Sequence, residues 1–210
     1  MVTIMKKKGI LMLLIMAMLS MTACSARVSV ECYDVTEIEK IWVSGDYAIY
    51  ESFSDLARHT TDVVSGKILS ERVEWINPFF GELPEDMDLY YIYTIYKVEV
   101  FEVFQGTTMV GDIIEIAQFG GMLDNVYMIY EERVHLEVGD NLVLFLHASD
   151  NDEFEFPFSL MNPTQSVYQF DSGRGGDGAM DMDEILEGVH PDSNLNFTIQ
   201  DLVDLQSSDY

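Results

Sequence analysis

Beyond its start the chain reads as a succession of β-rich runs separated by turn signals, and in the longest of them side chains alternate with a period of two between two faces. Thr61 to Ser70 (TDVVSGKILS) is rich in β-branched residues and reads as the first main strand, with Gly66 marking a bulge or a close backbone approach. Leu89 to Phe104 is a long β-rich run. Tyr90, Ile92, Thr94, Tyr96, Val98 and Val100 share one face, and Tyr91, Tyr93, Ile95, Lys97 and Glu99 the other. The alternation blurs at Phe101 to Phe104, which predicts a bulged or curved end. Gln105-Gly106 turns the chain, Gly111-Asp112 opens a strand over Ile113 to Phe119, and Gly120-Gly121 closes it. Val126 to Tyr130 is the next strand. After the turn Val138-Gly139-Asp140-Asn141, Leu142 to Leu146 is almost wholly apolar and predicts a strand buried on both sides. Ser166 to Phe170 is the last candidate strand. Between Asn77 and Asp88, Pro78, Gly81, Pro84 and the acids Glu82, Glu85, Asp86 and Asp88 predict a loop or wide hairpin. Helical signals are short. Ser54, after Phe53 and before Asp55, predicts an N-capped helix to about His59 with Leu56 and Ala57 turned inward. Asp181 to Gly188 and Thr198 to Leu205 predict short C-terminal helices, the second started by Asp192 or Ser193.

The start of the chain has a different pattern. Lys6, Lys7 and Lys8 precede a nearly unbroken apolar run, Ile10 to Leu19, followed by Ser20, Met21, Thr22, Ala23 and Cys24. That order of positive, apolar and small is the order of an export signal. The run is about half of the roughly 20 residues that a membrane-crossing helix needs. Met21-Thr22-Ala23-Cys24 resembles the lipobox of bacterial lipoproteins, with Met in the place usually held by Leu. The resemblance implies cleavage after Ala23 and diacylglycerol on the Cys24 thiol. Two acyl chains give stable anchoring where one gives marginal binding, so the expected location is the outer face of the cell membrane. The alternative is an ordinary secretory signal beside an incidental cysteine.

Five or six strands with turns at regular spacing predict a mainly β fold, a small barrel or sandwich. The order of helix, Asp62-Val63-Val64-x-Gly66-x-Ile68, a long strand holding Tyr93, Thr94, Val98 and Val100 and ending at Gly106, then Gly111-Asp112, then Gly139-Asp140 before Leu142 to Leu146, resembles the OB-like barrel of netrin-like modules. About half the chain takes part. The resemblance implies an OB-like barrel of five to six strands, with a short helix before the first main strand. Family members that inhibit metalloproteinases use a free N-terminal cysteine amine and several disulfides, so that activity is not implied here. The expected layout is a signal over 1–23, a tether and N-terminal segment over 24–50, a β-barrel domain over 51–170, and an acidic Gly-rich linker with a helical tail over 171–210.

Charge narrows the partners. The 210 residues carry a formal net charge of −26, and loss of the leader's three lysines makes the remainder more acidic still. Affinity for nucleic acid rests on Lys and Arg neutralising phosphates, so nucleic acid is excluded as a partner. Anionic headgroups are disfavoured too, which leaves the lipid to hold the membrane. Cations, basic proteins, peptides and neutral sugars or glycans remain. With Cys24 lipidated, Cys32 has no intramolecular partner. Among Val28, Val30, Tyr33 and Val35 it reads as a buried inert thiol, the alternatives being a reactive thiol or an intermolecular bridge.

Candidate chemistry is sparse. His59, His135, His147 and His190 occur singly, and no HExxH, Gly-x-Ser-x-Gly, P-loop or dinucleotide pattern is present, so no metal, cofactor or catalytic set is assigned. Placing Gly178 as the glycine of a calcium loop puts Asp177 and Glu184 correctly, but Gly173 and Gly175 then stand where ligands are needed. Weak calcium affinity of Asp171, Asp177, Asp181 and Asp183 competes with a solvated acidic linker. The residues best suited to meet a ligand are aromatic: Trp42, and above all Trp75, Phe79, Phe80, Tyr91 and Tyr93 around the first long loop. Packing over the barrel rim is the alternative for these rings. Two roles follow, a noncatalytic binding module or an extracytoplasmic hydrolase whose carboxylate pair is hidden among many acids.

Overall fold

The computed structural model describes residues 38–77, 90–149, 156–170 and 182–207. In chain order their elements are β1 (Glu39–Val43), α1 (Phe53–His59), β2 (Asp62–Ile76), β3 (Tyr91–Gln105), β4 (Ile113–Phe119), β5 (Gly121–Leu123), β6 (Val126–Tyr130), β7 (Asn141–His147), β8 (Phe158–Leu160), β9 (Val167–Gln169) and α2 (Ile199–Ser207). Among the described residues the fold is mainly β, with one sheet ordered β1-β6-β5, another ordered β2-β3-β4-β8-β7-β9, and two short helices. β2 also pairs with β7 along its other edge. The expected loop over 78–88 lies outside the described residues.

β2 and β3 form the longest ladder, and its irregularities answer to the sequence. Registers shift between Val63 and Val64 and between Ser65 and Gly66, leaving Phe104 and Phe101 of β3 as the extra residues of two bulges. Gly66 sits at one shift because a Cβ there would stand 2.6 Å from the Glu99 carbonyl oxygen and 2.7 Å from Val98 Cγ1. On β3, Ile92, Thr94, Tyr96, Val98 and Val100 are buried, while Lys97 and Glu99 are exposed. β7 shows why its run is apolar throughout. Leu142, Leu144 and Leu146 enter one core cluster with Val64, Tyr96 and Ile116, whereas Val143 and Phe145 enter a second with Leu56, Val63 and Phe197. Each fully buried side chain of this kind contributes about 1.5–3 kcal/mol relative to exposure.

Several expectations are corrected. Helix α1 is capped by Ser52, whose Oγ accepts from Asp55 N–H at 3.2 Å, and not by Ser54, which already lies inside the helix. Ser52 and Asp55 have the spacing of a capping box, which outcompetes the nearer serine. Gly121 does not close a strand but starts β5, and β5 joins β6 through Asp124 and Asn125, both at positive φ as a two-residue hairpin turn requires. β1, β5 and β8 are strands beyond those expected from the sequence. At the C-terminus one helix is present among the described residues rather than two. The segment around 185–188 is extended, bridging Ile185 to Thr198 and Gly188 to Tyr168. Ile185 is exposed and Leu186 is buried at 4%, an alternation of strand and not of helix. Helix α2 is started by Thr198 rather than Asp192 or Ser193: Thr198 N–H donates to Asp201 Oδ2 at 2.7 Å, and Asp201 N–H to Thr198 Oγ1 at 3.3 Å.

Candidate functional site

A cavity of about 270 Å³ opens between β4, β7, β8 and the segment before α1. It is lined by Tyr47, Ala117, Gln118, Phe119, Tyr130, His147, Ser159, Leu160, Met161 and Pro163. Strand register assembles its floor: Ala117 faces Ser159 in the parallel β4–β8 pair, and Ser159 faces His147 in the antiparallel β7–β8 pair.

Side-chain amides hold Tyr47 over this floor. Asn162 Nδ2 donates to the Ala48 carbonyl at 2.7 Å, and Gln165 clasps the Tyr50 peptide, Oε1 accepting from its N–H and Nε2 donating to its carbonyl, both at 2.9 Å. Asn162 Oδ1 in turn accepts from Thr164 N–H and Oγ1 at 2.7 and 2.8 Å, a local turn that fixes the loop carrying Met161 and Pro163. Asn162 and Gln165 are themselves 0% and 1% exposed, so these bonds act in a low-dielectric setting and hold the segment firmly.

The aromatic rings meet edge to face. Tyr47 and Tyr130 lie 6.0 Å apart at 71°, Phe119 and Tyr130 6.0 Å apart at 62°, and Phe119 and Tyr93 4.9 Å apart at 69°. Tyr130 O–H donates to Glu132 Oε2 at 2.6 Å. Burial, that bond and the neighbouring Tyr47 hold the Tyr130 phenol well above its ordinary pKa, and burial pushes Tyr93 up to about 12.

Two polar atoms of the lining residues lack a hydrogen-bond partner, Gln118 Nε2 and His147 Nδ1, and both are enclosed by neighbouring atoms rather than open to the cavity. Gln118 is 5% exposed. Its orientation follows from Arg133, whose Nε donates to Gln118 Oε1 at 3.4 Å while its Nη2 donates to Thr94 Oγ1 and Tyr96 Oη at 2.9 and 3.0 Å. A guanidinium can only donate, so the amide oxygen faces Arg133, and the amide nitrogen stays enclosed on the face of β4 that carries Ile114 and Ile116. No carboxylate bridges Arg133 among the described residues, in contrast to Arg72, which grips Glu115 at 2.7 Å through both Nη atoms. That grip holds the Glu115 carboxyl below its ordinary range. Ser65 Oγ is also unpartnered but does not line the cavity.

Of the residues singled out from sequence, Tyr91 and Tyr93 come together on Phe119, with Tyr91 5.1 Å from that ring and Phe156 5.8 Å from Tyr93. They buttress the cavity wall from outside. Trp75 pairs with Ile92 and so occupies the opposite face of the sheet, where its Nε1 donates to Asp124 Oδ2 at 3.4 Å. Trp42 is exposed on β1. Ala23, Cys24, Cys32, Phe79 and Phe80 lie outside the described residues, as do Asp171, Asp177 and Asp181. Tyr47, Gln118, Phe119, Tyr130 and His147 were not singled out. One signal was present: Gln118 follows Ile114 and Ile116 on the inward face of β4, where a polar residue interrupts an apolar alternation.

Among the described residues no group of three His, Cys, Asp or Glu could hold a metal ion, and no helix is long and apolar enough to cross a membrane. Asp62 is the one buried acid among them, and its Oδ1 is engaged by Thr107 N–H, Thr108 N–H and Thr108 Oγ1. Compared with known proteins, the chain matches no family model and no curated relative.

Proposed function

We propose that this chain is an extracytoplasmic lipoprotein, cleaved after Ala23 and held on the outer face of the membrane by lipid on Cys24. Its body is an OB-like barrel that serves as a noncatalytic binding module for a protein, peptide or glycan ligand. The succession of pairings supports the barrel: β2–β3, β3–β4, β4–β8, β8–β7 and β7–β2 return to the starting strand, with β4–β8 parallel and the others antiparallel. A ring of that kind leaves no free edge among its members. The leader pattern supports the anchor.

The observation that carries the binding role is the cavity under Tyr47, where Tyr47, Phe119 and Tyr130 stand around a floor of Ala117, Ser159 and His147. Apolar walls with a few convergent polar atoms are the usual construction of a ligand site. Photo-cross-linking in the native envelope tests the reading, with a benzophenone side chain at position 47 and, as control, at the exposed Glu71 of β2. The expected result is an adduct specific to position 47 on a membrane-associated protein that becomes water-soluble in Cys24→Ser. Identical adducts from both positions overturn the binding role, and unchanged membrane association of Cys24→Ser overturns the anchor.

A further inference from the structure

We infer that the groove between the end of β3, the turn after it and α2 takes a cationic amphipathic peptide, as a binding surface separate from the cavity under Tyr47. The groove has a volume of about 580 Å³. Val103 of β3, Met109 and Val110 of the turn, Met182, and Ile199 and Val203 of α2 line it, and none of them lines the other cavity. Its apolar rim is held out in water by the fold. Met109 and Val110 are 67% and 68% exposed, yet the turn that carries them is fixed at both ends. Asp62 Oδ1 accepts from Thr107 and Thr108 N–H at 3.0 Å, and Met109 N–H donates to Asp112 Oδ2 at 2.9 Å. On the opposite wall Ile199, Val203 and Gln206 form one stripe of α2, and Gln206 Nε2 ties that helix to the Val103 carbonyl at 3.1 Å. Walls fixed in this way are ready for a ligand without first being ordered, and methionine side chains adapt to its shape.

Charge selects the occupant. The stretches of chain that run through the groove, residues 98–132 and 182–207, include no Lys or Arg, and Glu102 lines the groove itself. Helix α2 has no basic residue in its last turn, so its negative C-terminal end beside Gln206 lacks the cation that such ends favour. Lys or Arg flanking an apolar peptide face meets both that end and Glu102. An acidic peptide, an anionic bilayer and a second copy of this chain of net charge −26 are repelled.

The test uses the lipidated protein in phosphatidylcholine nanodiscs, with isotope-labelled methionine methyl groups read by NMR. The probes are a short amphipathic peptide of Leu and Lys, its counterpart of Leu and Glu, and oligolysine, with empty discs correcting for peptide taken up by lipid. The Leu/Lys peptide is expected to move the Met109 and Met182 signals to saturation and to leave that of the buried Met128 still. Binding should weaken about tenfold in Val110→Ser, an exposed position whose change spares the core, and about threefold in Glu102→Gln. Equal movement with the Leu/Glu peptide overturns the charge selection, equal movement with oligolysine overturns the apolar groove, and no movement with any peptide overturns the site. Broadening of Met109 by a spin-labelled lipid before peptide is added makes the bilayer the occupant, and a Met109 signal that shifts with protein concentration makes it a second copy. Either result overturns the inference, and none of these outcomes bears on the cavity under Tyr47.

Discussion

Replacing Phe197 by alanine probes whether the C-terminal segment belongs to the core of this body. Phe197 is 3% exposed and sits at the centre of a ring cluster, 4.7 Å from Phe53, 5.7 Å from Phe145 and 4.5 Å from Tyr168. These rings come from the start of α1, from β7 and from β9, so Phe197 joins the segment before α2 to three distant parts of the chain. A buried Phe→Ala change costs about 3–5 kcal/mol, and the edge-to-face contacts place this one toward the upper end. Total stabilities run to about 5–15 kcal/mol, so the loss is a large share. For a body of this size each kcal/mol moves the melting temperature by about 2–4 °C, which gives a drop on the order of 10 °C. Near-UV circular dichroism follows the melt, with Ile185→Ala as control because that side chain is 59% exposed. The control should stay within about 0.5 kcal/mol of the parent. A Phe197→Ala melt that coincides with the control would refute the packing of Phe197 among Phe53, Phe145 and Tyr168.

Gly66→Ala should destabilise by about 1–3 kcal/mol in urea titration, because its Cβ would strike the Glu99 carbonyl, which is backbone and cannot swing aside. Asp62→Ala should cost about 1–3 kcal/mol, since Thr107 and Thr108 N–H lose their acceptor at the turn after β3, and an unchanged urea midpoint would speak against that role. Alkaline pH should weaken the fold through Tyr93. Its folded pKa of about 12 exceeds the unfolded value of 10.0, so its contribution is complete below about pH 10 and is lost as pH rises toward 12. Tyr93→Phe should therefore flatten the fall in urea midpoint between about pH 10 and about pH 12, and an equally steep fall in the variant would remove the explanation.

The strands that were legible are those whose side chains obey a single requirement over several residues. β3, β4, β6 and β7 alternate or run apolar because sheet neighbours on both sides dictate each position. β8 was not legible, since three half-buried residues carry no period, and its parallel partner β4 lies far from it in the chain. β1 was missed for a related reason: it is mostly exposed and pairs in parallel with β6, so no hairpin signal announces it. Around 185–188 local propensity gave way to tertiary context, because Gly188 pairs with Tyr168 and draws the chain straight. The cavity residues were hidden by distance. Tyr47, Gln118, Tyr130 and His147 become neighbours only through the β4–β8–β7 pairings and the Asn162 and Gln165 clasps, none of which a local pattern encodes. Gln118 alone carried a local trace, a polar side chain on an inward position.

The central claim is that the cavity under Tyr47 is a built binding site, and the ring resonances of Phe119 and Tyr130, which wall it, report on it most directly. In the lipidated protein, titration with soluble fragments of native envelope should move these resonances to saturation, and Tyr47→Ala should suppress the movement. Resonances that stay fixed with every fragment, or that move equally in Tyr47→Ala, would contradict the account.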